Sequence, residues 1–383
     1  MAYLDYNATT PVDPRVIDVM MDVYINHTGN AGSRTHFEGD SCRRIVEQAR
    51  KEVAHLADIN PVNVIFTSGA TESDNLAVGG LAEYGLKTGR THVLVSCIEH
   101  KAVLNVAKSL EERGFIIEYV PVMANGVVSV DEVLGRIRDN TLVVSIMHVN
   151  NETGVIQPVR EIGDAIRRDY PEVYFHIDAA QSFGKLVDEV KSLAYDMLSV
   201  SAHKMYGPQG IGALLLRTKD YTRPPIAPLL FGGEQEMGLR SGTLPVALIA
   251  GFGKACALCE NGWQEDQIVE QRVLAGIFEA LEASGISYKV NGSSDHRVPN
   301  CLNISFEDVS SEALMIASRH SVSVSNGSAC TSDSYEPSYV LMSMNVGRAR
   351  AKSAVRLGWG RFTDHNETMR AIESLIEAAR GLQ

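Results

Sequence analysis

The chain has 383 residues, with 35 Lys and Arg against 47 Asp and Glu and a formal net charge of −12 at pH 7. Apolar residues make 45% and charged residues 21%, a globular mixture that excludes wholesale disorder. The acidic balance argues against a protein that grips nucleic acid or an anionic membrane mainly by charge, and no uncharged apolar run reaches the roughly 18 residues of a membrane helix.

At roughly 150 residues per domain, the length points to two or three domains. The first residues, Met1 to Pro14, have neither a basic n-region nor an apolar h-region, so they do not read as a signal peptide. Six scattered cysteines (Cys42, Cys97, Cys256, Cys259, Cys301 and Cys330) give no disulfide-stapled export scaffold. The expected location is cytoplasmic.

Along the chain, short β-rich runs alternate with longer helical ones. Val64 to Thr67 reads as a strand, followed by a helix from Glu72 to Tyr84. His92 to Ser96 is the next strand, then a helix from Ala102 to Arg113 and a strand from Phe115 to Val122. Leu142 to Met147 is a buried strand, followed by a helix near Val159 to Arg168. Val173 to Ile177, Met197 to Ser201 and Ile211 to Leu216 complete the set. This alternation predicts βαβ units and an α/β fold with a largely parallel sheet covered on both faces.

After about residue 260 the texture changes. A long helix, Glu265 to Ser284, leads into short strands at Ile286 to Val290, Leu302 to Phe306, Ser321 to Val324 and Ala354 to Leu357. The pattern is α+β. The expected division is a large domain at 13–260 and a smaller one built from 1–12 and 261–383.

In open α/β sheets ligands sit outside the carboxyl ends of the strands, so the residues just after each strand carry the argument. After Thr67 comes Ser68-Gly69-Ala70-Thr71-Glu72-Ser73, small residues opening a helix whose amides suit a phosphate. Alone, this also reads as an ordinary capped turn. The next strands deliver Glu99-His100-Lys101, Asn150-Asn151-Glu152, Asp178-Ala179-Ala180-Gln181 and Ser201-Ala202-His203-Lys204. A lone His is more often a satisfied core or surface group, a strand-end Asp a helix cap, and a lone Lys a solvated charge. Together they bring a phosphate seat, an imidazole, amides, a carboxylate and an amine to one rim. Those are the parts of a pyridoxal phosphate site, in which an amine forms a Schiff base and a carboxylate keeps the ring protonated.

With these motifs, and with Tyr3 to Pro11, Arg240-Ser241-Gly242-Thr243, Gly327 to Ser332 and Gly360-Arg361-Phe362, the sequence resembles the cysteine desulfurase family. These are class-V aminotransferase-like members of fold type I of the pyridoxal phosphate enzymes. The motifs run from residue 3 to residue 362 in family order. The resemblance implies a PLP-dependent transferase fold with a large domain and a smaller α+β domain carrying the catalytic Cys. It implies that Lys204 holds the cofactor as a Schiff base, Asp178 pairs with the pyridinium nitrogen and Gln181 donates to the phenolic oxygen. His100 stacks on the ring and moves protons. Ala70, Thr71, Ser201 and His203 seat the phosphate. Thr243 reaches the phosphate of a neighbouring subunit, which makes the expected assembly a homodimer. Asn151 and Arg356 hold the substrate carboxylate, a role that suits the planar guanidinium.

Cys330 lies in Ser325 to Ser334, a small polar run with no apolar periodicity, which reads as an exposed loop. An arbitrary free Cys is more often a buried hydrophobe. In the family this Cys attacks the sulfur of L-cysteine, leaving an enzyme persulfide and L-alanine. The sulfur is then handed to an acceptor protein. Cys256-Ala257-Leu258-Cys259 lies in an apolar helical run without further ligands, so it reads as structural and no metal site is expected.

Gly29-Asn30-Ala31 lacks the Pro that follows Gly-Asn in the housekeeping iron–sulfur members, and the sequence stops at Gln383 without their longer tail. Both features suit the desulfurases that serve DNA phosphorothioate modification, with iron–sulfur assembly or tRNA thiolation as the other pathways open to the sulfur. The rival readings are a selenocysteine lyase or aminotransferase of the same fold, and a catalytically idle partner protein. Cys330 speaks against the first pair, and the presence of Lys204, Asp178, His100 and Arg356 speaks against the last.

Overall fold

A computed structural model describes residues 1–219, 222–327 and 336–383. Its centre is a seven-stranded sheet in the order Val64–Thr67, Gly212–Leu216, Met197–Ser201, Tyr174–Asp178, Thr141–Ser145, His92–Ser96 and Ile116–Val120. Only Gly212–Leu216 runs antiparallel to its neighbours. The inner strands are buried at every position except Tyr174, which explains runs such as Leu142-Val143-Val144 that lack polar alternation. All the strand-end motifs therefore leave the sheet at one edge.

The helix expected at Glu72 to Tyr84 is broken into Ala70–Asp74, a π-turn at Asn75–Gly79 and Ala82–Thr88. The Asn75 side chain donates to the Thr71 carbonyl (2.8 Å), and Gly79-Gly80 offers little to hold regular helix.

The long helix is longer than expected. It spans Val246–Ser284, 39 residues, and passes straight through position 260. Nothing between those ends stops it, because Ala, Leu, Glu and Gln dominate and no Pro intervenes. Its first part packs on the helices Pro14–Asn26 and Phe37–Leu56, and it also meets His365–Arg380. Cys256 and Cys259 are buried on it, and among the described residues no group of three or more His, Cys, Asp or Glu is placed to hold a metal.

A second core surrounds a three-stranded antiparallel sheet of Ala354–Gly358, Cys301–Phe306 and Tyr288–Asn291. Leu302, Ile304, Phe306, Leu357 and Trp359 meet Val273, Ile277 and Leu375 there. Ala2–Tyr3 pairs in parallel with Val322–Ser323, and Leu4 joins this core. Residues 7 to 10 then cross to the carboxyl edge of the large sheet, where the Thr10 amide donates to the His203 carbonyl (2.9 Å). Among the described residues no helix is long and apolar enough to cross a membrane.

Candidate active site

The first strand ends at Thr67, and Gly69 follows with φ +152°. That conformation is strained for any residue with a Cβ. It turns the chain into the helix Ala70–Asp74, whose first amides have no carbonyl partner in the helix. Buried Ser201 ends a nearby strand, and its Oγ lies 3.6 Å from where a Cβ on Gly69 would stand. The result is a shallow cradle of backbone donors and one hydroxyl.

Asp178 ends the central strand Tyr174–Asp178 and is buried. Its Oδ1 accepts from the Ala180 amide (2.9 Å). Burial pushes its pKa up, while His100, the Ala180 N–H and Lys204 oppose that rise. His100 caps the helix Lys101–Glu111, with its Nδ1 accepting from the Ala102 amide (3.2 Å). The neutral ring therefore carries its proton on Nε2. Burial, and then the nearby Lys204 and Lys101 charges, hold His100 below the usual imidazole range against the pull of Asp178.

Lys204 Nζ donates to the carbonyls of Asn7 (2.6 Å) and Ala8 (2.7 Å). Gln181 Nε2 donates to the same Asn7 carbonyl (2.9 Å), and its Oε1 is buried without a hydrogen-bond partner. His203 Nδ1 lies 3.2 Å from Thr9 Oγ1. Burial, with Lys204 and Lys185 nearby, lowers the His203 pKa to about 4, so its ring is neutral at pH 7.

Arg356 reaches the rim from the three-stranded sheet. Its Nη1 donates to the Asn151 carbonyl (3.0 Å), and Nη2 pairs with Asp5 (2.7 Å). Arg356 Nε and Asn151 Oδ1 are both buried without a partner.

This set fits pyridoxal phosphate. An amine, a buried carboxylate and helix-opening amides stand together, and two buried amide oxygens at the same rim have no protein partner. The family description Aminotransferase class-V matches residues 2–370. A mitochondrial cysteine desulfurase from Eremothecium gossypii is 44% identical over 385 residues, covering 100% of this chain and 76% of that protein. Cysteine desulfurase IscS of Vibrio vulnificus is 44% identical over 387 residues, covering 100% of this chain and 93% of that one.

The chain belongs to the class-V aminotransferases, in their cysteine desulfurase branch. A solved structure described as SspA in complex with cysteine is 35% identical, with TM-score 0.82, covering 95% of this chain and 100% of that one. The desulfurase fold is thus the α/β fold type I of the PLP enzymes, and its cofactor is pyridoxal 5′-phosphate.

The structure brings Ala70, Thr71, His100, Asn151, Asp178, Gln181, Ser201, His203, Lys204 and Arg356 to one rim. Thr243 is exposed, and none of the hydrogen bonds among the described residues joins it to the cradle. Its neighbour Arg240 does meet Glu72 beside the cradle (2.9 Å). Cys330 lies outside the described residues.

Sequence reasoning missed the layer behind the rim. Asp74 lies one turn into the cradle helix, with His176 Nε2 at 3.5 Å from its Oδ1. Glu99 Oε1 accepts from the Met147 amide (2.7 Å). Burial drives the Asp74 pKa well up and that of Glu99 to about 8, and Asp178 raises both further. Asp5, Asn7 and Glu152 lie within motifs quoted from the sequence but carried no role there. A charged residue just after a buried strand, directly behind the apolar Ile98, was the available signal for Glu99.

Proposed function

We propose that this desulfurase moves the sulfur of L-cysteine onto Cys330 as a persulfide, releases L-alanine, and hands the sulfur to an acceptor protein. The observation that carries this reading is the meeting of Lys204 and Gln181 on the Asn7 carbonyl, beside buried Asp178 and the Arg356–Asn151 pair. Pyridoxal phosphate, when bound, supplies an aldehyde for the amine and a protonated ring that draws electrons from the substrate.

Lys204 would hold that aldehyde through Nζ and, once released, would move the substrate's α-proton. Asp178 would hold the ring nitrogen protonated. Gln181 would donate to the phenolic oxygen, and His100 would stack on the ring with its Nε2 proton available. The amides of Ala70 and Thr71, with Ser201 and His203, hold the phosphate. Arg356 and Asn151 take the substrate carboxylate.

The Cys330 thiolate attacks the substrate sulfur. An S–S bond forms and the C–S bond breaks, its electron pair staying on carbon. Carbon then gains a proton, so cysteine and a thiol become alanine and a persulfide with no external oxidant. An acceptor thiol later takes the outer sulfur.

The same reading makes the working unit a homodimer in which Thr243 completes the partner's cradle. Exposed Leu229, Leu230 and Phe231 beside Ser241 support it, because Phe231 is 87% exposed and has no solvent role. It divides the chain into a large domain at 13–260 and a small domain from 1–12 and 261–383, with the long helix joining them. The setting is the cytoplasm, in keeping with five unpaired cysteines among the described residues. The Gly29-Asn30-Ala31 segment favours acceptors of DNA phosphorothioate modification, with this acidic subunit itself not holding nucleic acid.

Alanine release from L-cysteine under reductant tests the core of the reading. Wild type is expected to release alanine, and Cys330→Ala to keep the bound cofactor while losing the persulfide. Normal sulfur transfer by Cys330→Ala means that the nucleophile lies elsewhere.

A further inference from the structure

Glu152 sits in a turn that its own neighbours lock. Asn150 Oδ1 accepts from the Glu152 amide (3.0 Å), the Thr153 amide (3.0 Å) and Thr153 Oγ1 (3.1 Å). Asn150 Nδ2 donates to the Ile98 carbonyl (3.2 Å), which anchors the turn to the large sheet. From this fixed base Glu152 reaches the later part of the chain through its carbonyl and its carboxylate. Its carbonyl accepts from Asn303 Nδ2 (3.1 Å). Its carboxylate accepts the Ser338 hydroxyl. Gly327, at φ +80°, presses so close that a Cβ there would meet Glu152 Oε2 at 2.6 Å.

Gly327 and Ser338 are the two residues from which the segment bearing Cys330 departs and returns, with ten residues between them. Each root is also tied to the site. Gly327 donates to Ser325 Oγ (3.2 Å), and Ser325 pairs through its backbone with Arg356. Ser338 caps the helix Tyr339–Ser343, and the Tyr339 hydroxyl donates to the Glu99 carbonyl (2.5 Å). Glu152 is 3% exposed, so its carboxyl has no solvent role that would explain its presence.

We infer that Glu152 is a positioning residue that clasps both roots of the Cys330 segment against the substrate-binding turn. Asn151, on one side of the turn, faces the substrate carboxylate, and Glu152, next in sequence, fixes the ends of the segment that delivers the thiol. A tether held at both ends near its target raises the thiol's effective concentration at the substrate sulfur. Losing a contact at a root lengthens the span between fixed points, and encounters become rarer. The inference deepens the proposed function and rests on its assignment of Cys330 as sulfur acceptor.

The test compares Glu152→Ala, Glu152→Gln and Ser338→Ala in the cofactor-loaded full chain. Three readouts are taken: the absorbance change on adding L-cysteine, the rate of persulfide formation on the Cys330 peptide by mass spectrometry, and amide hydrogen exchange. The glutamine amide oxygen still accepts the Ser338 hydroxyl, so that variant is expected to behave like wild type. Glu152→Ala and Ser338→Ala are expected to keep the absorbance change, to slow persulfide formation at least about tenfold, and to speed exchange only in peptides spanning 326–338. A merely structural role speeds exchange throughout and lowers cofactor content in step with the rate, and that pattern overturns the clasp. Unchanged persulfide formation in both Glu152→Ala and Ser338→Ala also overturns it. Absence of persulfide on wild-type Cys330 instead sinks the assignment of the nucleophile, and local exchange in the variants still reports whether the clasp exists.

Discussion

Asp5 and Arg356 meet at 2.7 Å (Oδ1 to Nη2) across the join between the first residues and the three-stranded sheet. Arg356 is nearly buried, so in the substrate-free protein Asp5 is its counter-charge. Removing one partner of a buried ion pair costs roughly 3–5 kcal/mol, and the partial exposure of Asp5 brings this to about 1–3 kcal/mol. Asp5→Asn is therefore expected to lower the melting temperature. A substrate carboxylate supplies the missing charge, so saturating L-alanine is expected to raise the melting temperature more in Asp5→Asn than in wild type. An equal or smaller rise in the variant means that Arg356 does not take the substrate carboxylate.

Glu99 predicts a pH dependence. Burial, reinforced by Asp178 and opposed by the Met147 N–H, raises its pKa to about 8 from an ordinary 4.5. Between those values the folded protein holds a proton that the unfolded chain has released. Stability from this group is thus fully present below about pH 4.5 and is lost as pH rises towards 8. One such group sets a slope of up to about 1.4 kcal/mol per pH unit. Glu99→Gln keeps the acceptor for Met147 and removes the titration. Its urea-unfolding free energy is expected to fall less steeply than that of wild type between pH 5 and 8. Parallel slopes for the two proteins would sink the assignment.

Much of this architecture is legible in the sequence because the chemistry of a parallel sheet is one-sided. Strand ends such as Asp178 and Ser201 carry their own punctuation, a buried apolar run followed by a polar residue, and so the rim reads directly. Asp5, Asn7 and Glu152 were not legible as partners, because their contacts join residues 151 to 351 positions apart or use a backbone carbonyl. Neither periodicity nor composition encodes such pairs. The length of the Val246–Ser284 helix was missed for a different reason. Its apolar face changes partner near its middle, from the helices of the large sheet to the second core, and that change looked like an end.

Arg50 and Glu236 carry a stability prediction away from the chemistry. Glu236 pairs with Arg50 (2.6 and 2.9 Å) and also accepts the Phe66 amide (2.7 Å) on the edge strand Val64–Thr67. Arg50 in turn donates to the Val64 carbonyl (2.6 Å) and lies over the Phe66 ring. This pair ties segment 232–243 to the strand that leads into the cradle. Glu236→Gln leaves Arg50 with only the exposed Glu47 (3.3 Å) as counter-charge and is expected to cost about 3 kcal/mol in urea unfolding. A loss under about 1 kcal/mol shows that solvent or Glu47 takes over the guanidinium.

Gly69 links backbone strain to cofactor affinity. Its φ of +152° is close to forbidden for alanine, although the space around an added Cβ is open, with only Ser201 Oγ near, at 3.6 Å. The penalty in Gly69→Ala is therefore one of backbone conformation, about 1–3 kcal/mol, rather than of collision. The chain can relieve it only by turning the peptide that aims the Ala70 and Thr71 amides. Those amides are the phosphate donors, so the strain falls on cofactor binding. Gly69→Ala is expected to bind pyridoxal phosphate about tenfold or more weakly, by tryptophan-fluorescence titration of the stripped protein. Ser201→Ala, which removes one donor and leaves the backbone alone, is expected to lose less. If Gly69→Ala binds the cofactor like wild type while Ser201→Ala does not, the hydroxyl rather than the helix-opening amides seats the phosphate.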